Sequence, residues 1–157
     1  MTDASTVDVI TLHPGDVVIG LRGQQLQTLL GSCVAVVLTD PRRTVGAMCH
    51  IVHARPATKA GRPSGSHADM ALQMMVDLLQ VRGIVASKCD AYVYGGGNMF
   101  PNLVQGAGIG GQNVHWVLRA LEVMRVNILS VDAGGAVYRK LSWVVGPDAP
   151  QAVAVQL

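Results

Sequence analysis

Apolar positions along this chain follow two periodicities. Short runs rich in β-branched residues, bounded by Gly, Pro, Asn and Asp, predict strands near residues 16–20, 34–38, 45–52, 89–94, 127–131, 138–145 and 152–155. Two longer stretches repeat at helical spacing. In the first, Ala71, Met74, Met75, Leu78 and Leu79 form one face. Ser66-His67-Ala68-Asp69 ahead of them reads as a capping box, with Ser66 as N-cap and Asp69 three residues on, and Gly83 supplies a stop. In the second, Val114, Val117, Leu118, Leu121 and Met124 form the face. Gly, Pro and cations make residues 54–65 a mobile surface loop, and Asp132-Ala133-Gly134-Gly135 reads as a turn. Many strands, hairpin connections and two long helices predict a layered α+β sandwich.

Length and composition fit one domain. The 157 residues suit a single sizeable core spanning 1–157, with a flexible N-terminus over about 1–8 and a C-terminal tail over about 147–157 that carries the last strand. Half the residues are hydrophobic and 14% are charged, which excludes a disordered chain. A formal net charge of +2, no Lys/Arg block and 4% aromatics argue against nucleic acid as a partner. There is no apolar stretch long enough to be inserted in a membrane, and the acidic, polar start lacks signal-peptide features, so a cytoplasmic protein is expected. Cys33, Cys49 and Cys89 show no CxxC spacing, which fits free thiols in a reducing compartment better than disulfides or a metal site.

The candidate chemistry lies in the hairpin of residues 34–38 and 45–52. With Asp40 to Arg43 as a four-residue loop, Thr39 faces Thr44, and Cys33 falls directly opposite His50 on one face of the sheet. Directly opposed Cβ atoms lie roughly 4.5–5.5 Å apart, close enough for a thiol and an imidazole to share a proton. Gly31-Ser32 opens the approach to Cys33, so that backbone N–H groups there can meet a developing oxyanion. Thr28 offers a hydroxyl to orient the imidazole as the third member of a triad. The competing account makes Cys33 a small buried hydrophobe and His50 a satisfied core residue. Cys49 points to the opposite face from His50 and reads as core, and Cys89 carries no evident role. Gly106-Ala107-Gly108-Ile109-Gly110-Gly111 fits a dinucleotide fingerprint, but Met99 to Gln105 separates it from the preceding strand, so it reads as a tight loop near a site.

Leu30-Gly31-Ser32-Cys33-Val34 followed by Gly46-Ala47-Met48-Cys49-His50 resembles the CheD family of chemoreceptor glutamine deamidases. The likeness extends through His67-Ala68-Asp69-Met70-Ala71-Leu72, Tyr94-Gly95-Gly96-Gly97-Asn98-Met99-Phe100, Ile109-Gly110 with Asn113-Val114, and Asp132-Ala133-Gly134-Gly135. It implies a three-layer α/β/β sandwich and conversion of receptor glutamines to glutamates without a cofactor or metal. Glutamate methyl ester hydrolysis is a second activity open to the same acyl-enzyme. By position Cys33 would be the nucleophile, His50 the base and Thr28 the third residue. The partners implied are chemoreceptor cytoplasmic domains and a CheC-type phosphatase, and the alternative is a regulator acting by contact alone. Recognition of a protein surface draws attention to residues 57–65 and 96–102, with Gly96, Gly97 and Asn98 as substrate-binding candidates beside Gly31 and Ser32. Gln112 stands where the family has an arginine, and Tyr138-Arg139-Lys140 replaces the usual sequence after the glycine turn.

Overall fold

The hairpin that carries the candidate chemistry is apolar on both faces, and the architecture explains why. In a computed structural model, which describes residues 7–54, 64–103 and 108–157, the strands are β1 (Val9–Thr11), β2 (Val17–Leu21), β3 (Gln25–Leu30), β4 (Val34–Thr39), β5 (Val45–Ile51), β6 (Asp90–Gly95), β7 (Asn127–Ala133), β8 (Val137–Val144) and β9 (Gln151–Gln156). The helices are α1 (Ala68–Val81) and α2 (Gly108–Met124). A five-stranded sheet runs β2-β5-β4-β6-β7 and a four-stranded sheet runs β1-β3-β8-β9. Val34, Val36, Leu38, Cys49 and Ile51 face both helices, whereas Ala35, Val37 and Met48 face Leu26, Leu30, Leu141 and Trp143 of the smaller sheet. The layers are therefore helices, large sheet and small sheet, a single-domain α/β/β sandwich. Strands covered on both faces read as continuous apolar runs, and each fully buried aliphatic side chain contributes about 1.5–3 kcal/mol.

β1 and β3 are absent from the strands read in the sequence. β3 does alternate, with Leu26, Thr28 and Leu30 buried and Leu29 exposed, but glutamines occupy two of its outward positions and dilute the β-branched signal.

The hairpin register differs from the expected one by two residues. Thr39 pairs with Gly46, and Ala35, not Cys33, lies opposite His50. Asp40 is the cause. Its carboxylate accepts the Thr44 and Val45 N–H groups (2.8 and 3.0 Å) and the Thr44 hydroxyl (2.6 Å), building a longer loop with Arg43 at φ 58°. Burial alone would raise the Asp40 pKa, but these hydrogen bonds hold it below its ordinary value. A slip of one residue would have turned Cys33 to the helix layer; a shift of two keeps it on the His50 face.

The N-cap of α1 is His67, with no side-chain cap bond, rather than Ser66. The Ser66 carbonyl accepts the Val52 and His53 N–H groups (2.8 and 2.9 Å), and His53 bridges His67, so the chain stays strand-like up to the helix start. Gly83 does stop α1, at φ 75°. Gly108, Gly110 and Gly111 form the first turn of α2, which crosses between the parallel strands β6 and β7. Of the expected surface loop, residues 55–63 lie outside the described residues, as do residues 1–6 of the N-terminus and the fingerprint's Gly106 and Ala107.

Candidate active site

Between β3 and β4 the chain leaves the small sheet and enters the large one, and residues 31–33 make that crossing. Cys33 ends the crossing half-buried, whereas Cys49 and Cys89 are buried. His50 projects from β5 into the space between the sheets and is 3% exposed. Thr28 projects from β3 into the same space and is 5% exposed. Its Oγ1 lies 2.7 Å from His50 Nδ1, a bond between the two sheets. Cys33 lies two residues before Ala35 on the same side of the strand, which makes it a diagonal neighbour of His50. Such diagonals span roughly 7–8 Å between backbones, within reach of longer side chains. Among the described hydrogen bonds none joins Cys33 to His50.

The hydroxyl of Thr28 also donates to the Leu12 carbonyl at 2.8 Å. A hydroxyl has one proton. With that proton on Leu12, Thr28 can only accept from His50, which places the imidazole hydrogen on Nδ1 and leaves Nε2 bare. This is the tautomer a general base requires. Burial lowers the His50 pKa, with Asp16 opposing and His13 reinforcing the shift. Burial also raises the Cys33 thiol. Both groups therefore rest neutral near pH 7, and a thiolate has to be made during the reaction rather than stored.

The crossing is held through all three of its carbonyls. Gly97 N–H donates to Gly31 (2.9 Å), Gly96 N–H donates to Cys33 (2.8 Å), and the Asn113 amide Nδ2 donates to Ser32 (3.2 Å). Among the described residues, the N–H groups of Ser32 and Cys33 have no acceptor. They are free donors at the crossing. The amides of Gly96, Gly97 and Asn98 are all committed, the last to the Gly135 carbonyl at 2.8 Å, so these three cannot serve as oxyanion donors. Their place is the scaffold and the rim. Ser32, Gly97, Asn98, Met99, Phe100 and residues 108–110 line a pocket of about 80 Å³ beside the crossing.

Gly95 and Gly96 have φ of 113° and 63°, and a Cβ on Gly95 would strike the Cys33 carbonyl. Glycine is needed here because the strand end must turn back against the crossing. Arg139, 4% exposed, pins this turn. Its guanidinium donates to the carbonyls of Gly134 (2.7 Å) and Gly95 (3.3 Å) and to Asp132 (3.2 Å). Arg139 and Asn113 were in view in the sequence only as positions in motifs. A single buried cation and a single helix asparagine carry no periodic signal that would have revealed their partners.

Among the described residues no three His, Cys, Asp or Glu side chains are grouped to hold a metal, and no helix is long and apolar enough to cross a membrane.

Residues 53–146 match the family model described as CheD chemotactic sensory transduction. The matched stretch begins just after His50, but pairwise similarity extends further. The chain is 34% identical over 139 residues to the probable chemoreceptor glutamine deamidase CheD of Pseudomonas fluorescens, covering 87% of this chain and 78% of that one. It is 35% identical over 138 residues to the probable chemoreceptor glutamine deamidase CheD 2 of Albidiferax ferrireducens, covering 84% and 79%. To the chemoreceptor glutamine deamidase CheD of Thermotoga maritima it is 37% identical over 106 residues, covering 68% and 66%.

Proposed function

The chain belongs to the CheD family, and on that premise we propose that it is a chemoreceptor glutamine deamidase whose reaction runs on Cys33, His50 and Thr28. The observation that carries the residue assignment is the Thr28–His50 bond between the sheets, which leaves Nε2 free on the face that Cys33 shares.

His50 Nε2 takes the Cys33 proton as the sulfur attacks the side-chain carboxamide carbon of a receptor glutamine. The N–H groups of Ser32 and Cys33 receive the negative oxygen of the tetrahedral intermediate; one such donor is worth about 10²–10³ in rate. The His50 imidazolium then protonates the leaving nitrogen, and ammonia departs from a thioester. A water molecule, deprotonated by His50, attacks the thioester and releases glutamate with the Cys33 thiol restored. The net change is addition of one water and loss of one ammonia. Glutamate methyl esters enter the same sequence with methanol as the leaving group.

The substrate is a cytoplasmic receptor domain, which places the protein in the cytoplasm. The pocket rim suits a protein surface: Phe100 and Ile109 are 62% and 69% exposed there, and apolar side chains left exposed together mark contact sites. Gly97 and Asn98 take the role of substrate contacts through their position on this rim.

A second reading, contact-only regulation of a CheC-type phosphatase, draws on the raised Cys33 thiol. Incubation with a receptor cytoplasmic fragment separates the two. The enzyme adds about one mass unit per converted glutamine and Cys33→Ala adds none. An unchanged fragment, together with a Cys33 slow toward alkylation, would leave only the regulator.

A further inference from the structure

We infer that Asn113 is the positioning residue of the oxyanion site: by holding the Ser32 carbonyl it aims the Cys33 N–H at the reacting oxygen. The inference rests on the deamidase reading above and adds a residue to it.

Asn113 is 2% exposed, and its side chain is fully engaged. Oδ1 accepts the Ala54 N–H at 2.8 Å, while Nδ2 donates to Ser32 at 3.2 Å and to Val52 at 3.1 Å. One donor and two acceptors surround the amide, so its orientation is fixed: turned over, it would set its oxygen against two carbonyls and its NH₂ against an N–H. Every described peptide bond is trans. In a planar trans peptide the C=O and the following N–H point in opposite directions. Tying the Ser32 oxygen to the helix layer therefore turns the Cys33 N–H away from it, and that N–H has no acceptor among the described residues.

The neighbouring carbonyls of the crossing are held by backbone amides, those of Gly96 and Gly97. Only the Ser32 anchor depends on a side chain. The same side chain grips Val52, two residues beyond His50, so one amide sets the base-bearing strand against the nucleophile-bearing crossing. Its reach depends on Gly110. A Cβ there would meet the Gly96 and Gly97 backbone at 2.5 Å, so glycine brings α2 close, and Asn113, three residues on, shares that helix face. Aspartate has no donor for the two carbonyls, and alanine has neither donor nor acceptor.

The test compares Asn113→Ala and Asn113→Asp with wild type in two reactions. Turnover of receptor glutamines passes through an oxyanion. Alkylation of Cys33 by iodoacetamide is a displacement at saturated carbon and forms none, so it reports only thiolate supply and access. We expect kcat to fall about 10–10²-fold, KM to stay within about threefold and the alkylation rate within about twofold. Parallel loss of turnover and alkylation would make Asn113 a structural residue alone, and unchanged turnover would remove it from the mechanism. Absence of wild-type turnover sinks the deamidase reading and this role with it, whereas wild-type turnover with unaffected variants sinks only this role.

A measurement on the wild-type protein avoids any loss of folding. A receptor peptide with an aldehyde in place of the glutamine carboxamide forms a thiohemiacetal with Cys33, a mimic of the tetrahedral intermediate. The Cys33 amide proton should move downfield by NMR on adduct formation, and an adduct that leaves it unmoved overturns the inference.

Discussion

Cys49 and His50 are neighbours in one strand and both are buried, yet they belong to different worlds. Cys49 faces the helices among Val36, Leu38 and Met75, where desolvation pushes its thiol up to about 12. His50 faces the smaller sheet, where Thr28 meets it at 2.7 Å and the crossing brings Cys33 to its side of the hairpin. Burial does not separate the two faces. What separates them is the layer opposite. Over Cys49 the helix layer covers with side chains, the backbone donors of the helix interiors being spent within the helices. At the crossing between sheets, by contrast, the chain has left one ladder and not yet joined the next, and the Ser32 and Cys33 amides stay free. Reactive chemistry needs such unspent donors, and this fold supplies them at a change of sheet.

The widest separation between the faces is expected from cysteine removal. Cys33→Ala should abolish receptor deamidation, a loss of at least about 10³-fold, given that a nucleophile missing from a cooperative set removes nearly the whole effect. Cys49→Ala should keep turnover within about twofold and cost about 1–2 kcal/mol in denaturant unfolding as a small cavity opens. Equal loss of activity from both would erase the contrast.

His50→Asn should lower kcat by about 10²–10⁴, the usual worth of a general base, with the unfolding midpoint reporting whether the fold survives.

Thr28 sharpens the picture because it acts through His50. Thr28→Val removes the only described partner of Nδ1 and should lower kcat about tenfold, with an acid limb shifted in the pH profile; its stability cost is about 1–3 kcal/mol. Thr28→Ser keeps the hydroxyl and should restore both kcat and the limb. A purely packing role would leave the pH profile in place in both variants.

The mildest test varies pH. Burial lowers His50, so its neutral, proton-accepting form persists below the ordinary imidazole value of about 6.5. Turnover should hold through that pH and decline only as His50 protonates further down, about tenfold per unit once below its pKa. Because the folded pKa is the lower one, the His50 contribution to stability is present above the unfolded value and is lost as pH falls through the folded value. On the alkaline side the raised Cys33 should make alkylation climb past pH 8.5, the usual thiol midpoint. Alkylation that is instead fast and flat down to acid pH would reveal a stored thiolate and contradict the neutral pair.

Local pattern was enough for the hairpin, both long helices and the later strands, since each has a long apolar periodicity or a β-branched run that its final neighbours reinforce. Local pattern also brings Cys33 and His50 forward as candidates, because a Gly-Ser-Cys strand start and a histidine on the facing strand are visible in order along the chain. Elsewhere local pattern misled. The hairpin loop looked four residues long because Asp40 reads as a turn residue, and nothing local tells that its carboxylate gathers Thr44 and Val45 into a longer one. Nor does local pattern tell that the N–H groups of Gly96, Gly97 and Asn98 hold the carbonyls of Cys33, Gly31 and Gly135 respectively.

Tertiary structure alone decided which groups meet. Thr28 reaches His50 because β3 belongs to the other sheet, 22 positions away in sequence. Asn113 reaches Ser32 across 81 positions because Gly110 lets the helix settle on a glycine turn. Periodicity records which face a side chain takes, since that repeats along a single element. A hydrogen bond between layers depends on how two elements dock, and docking is settled by the whole core at once.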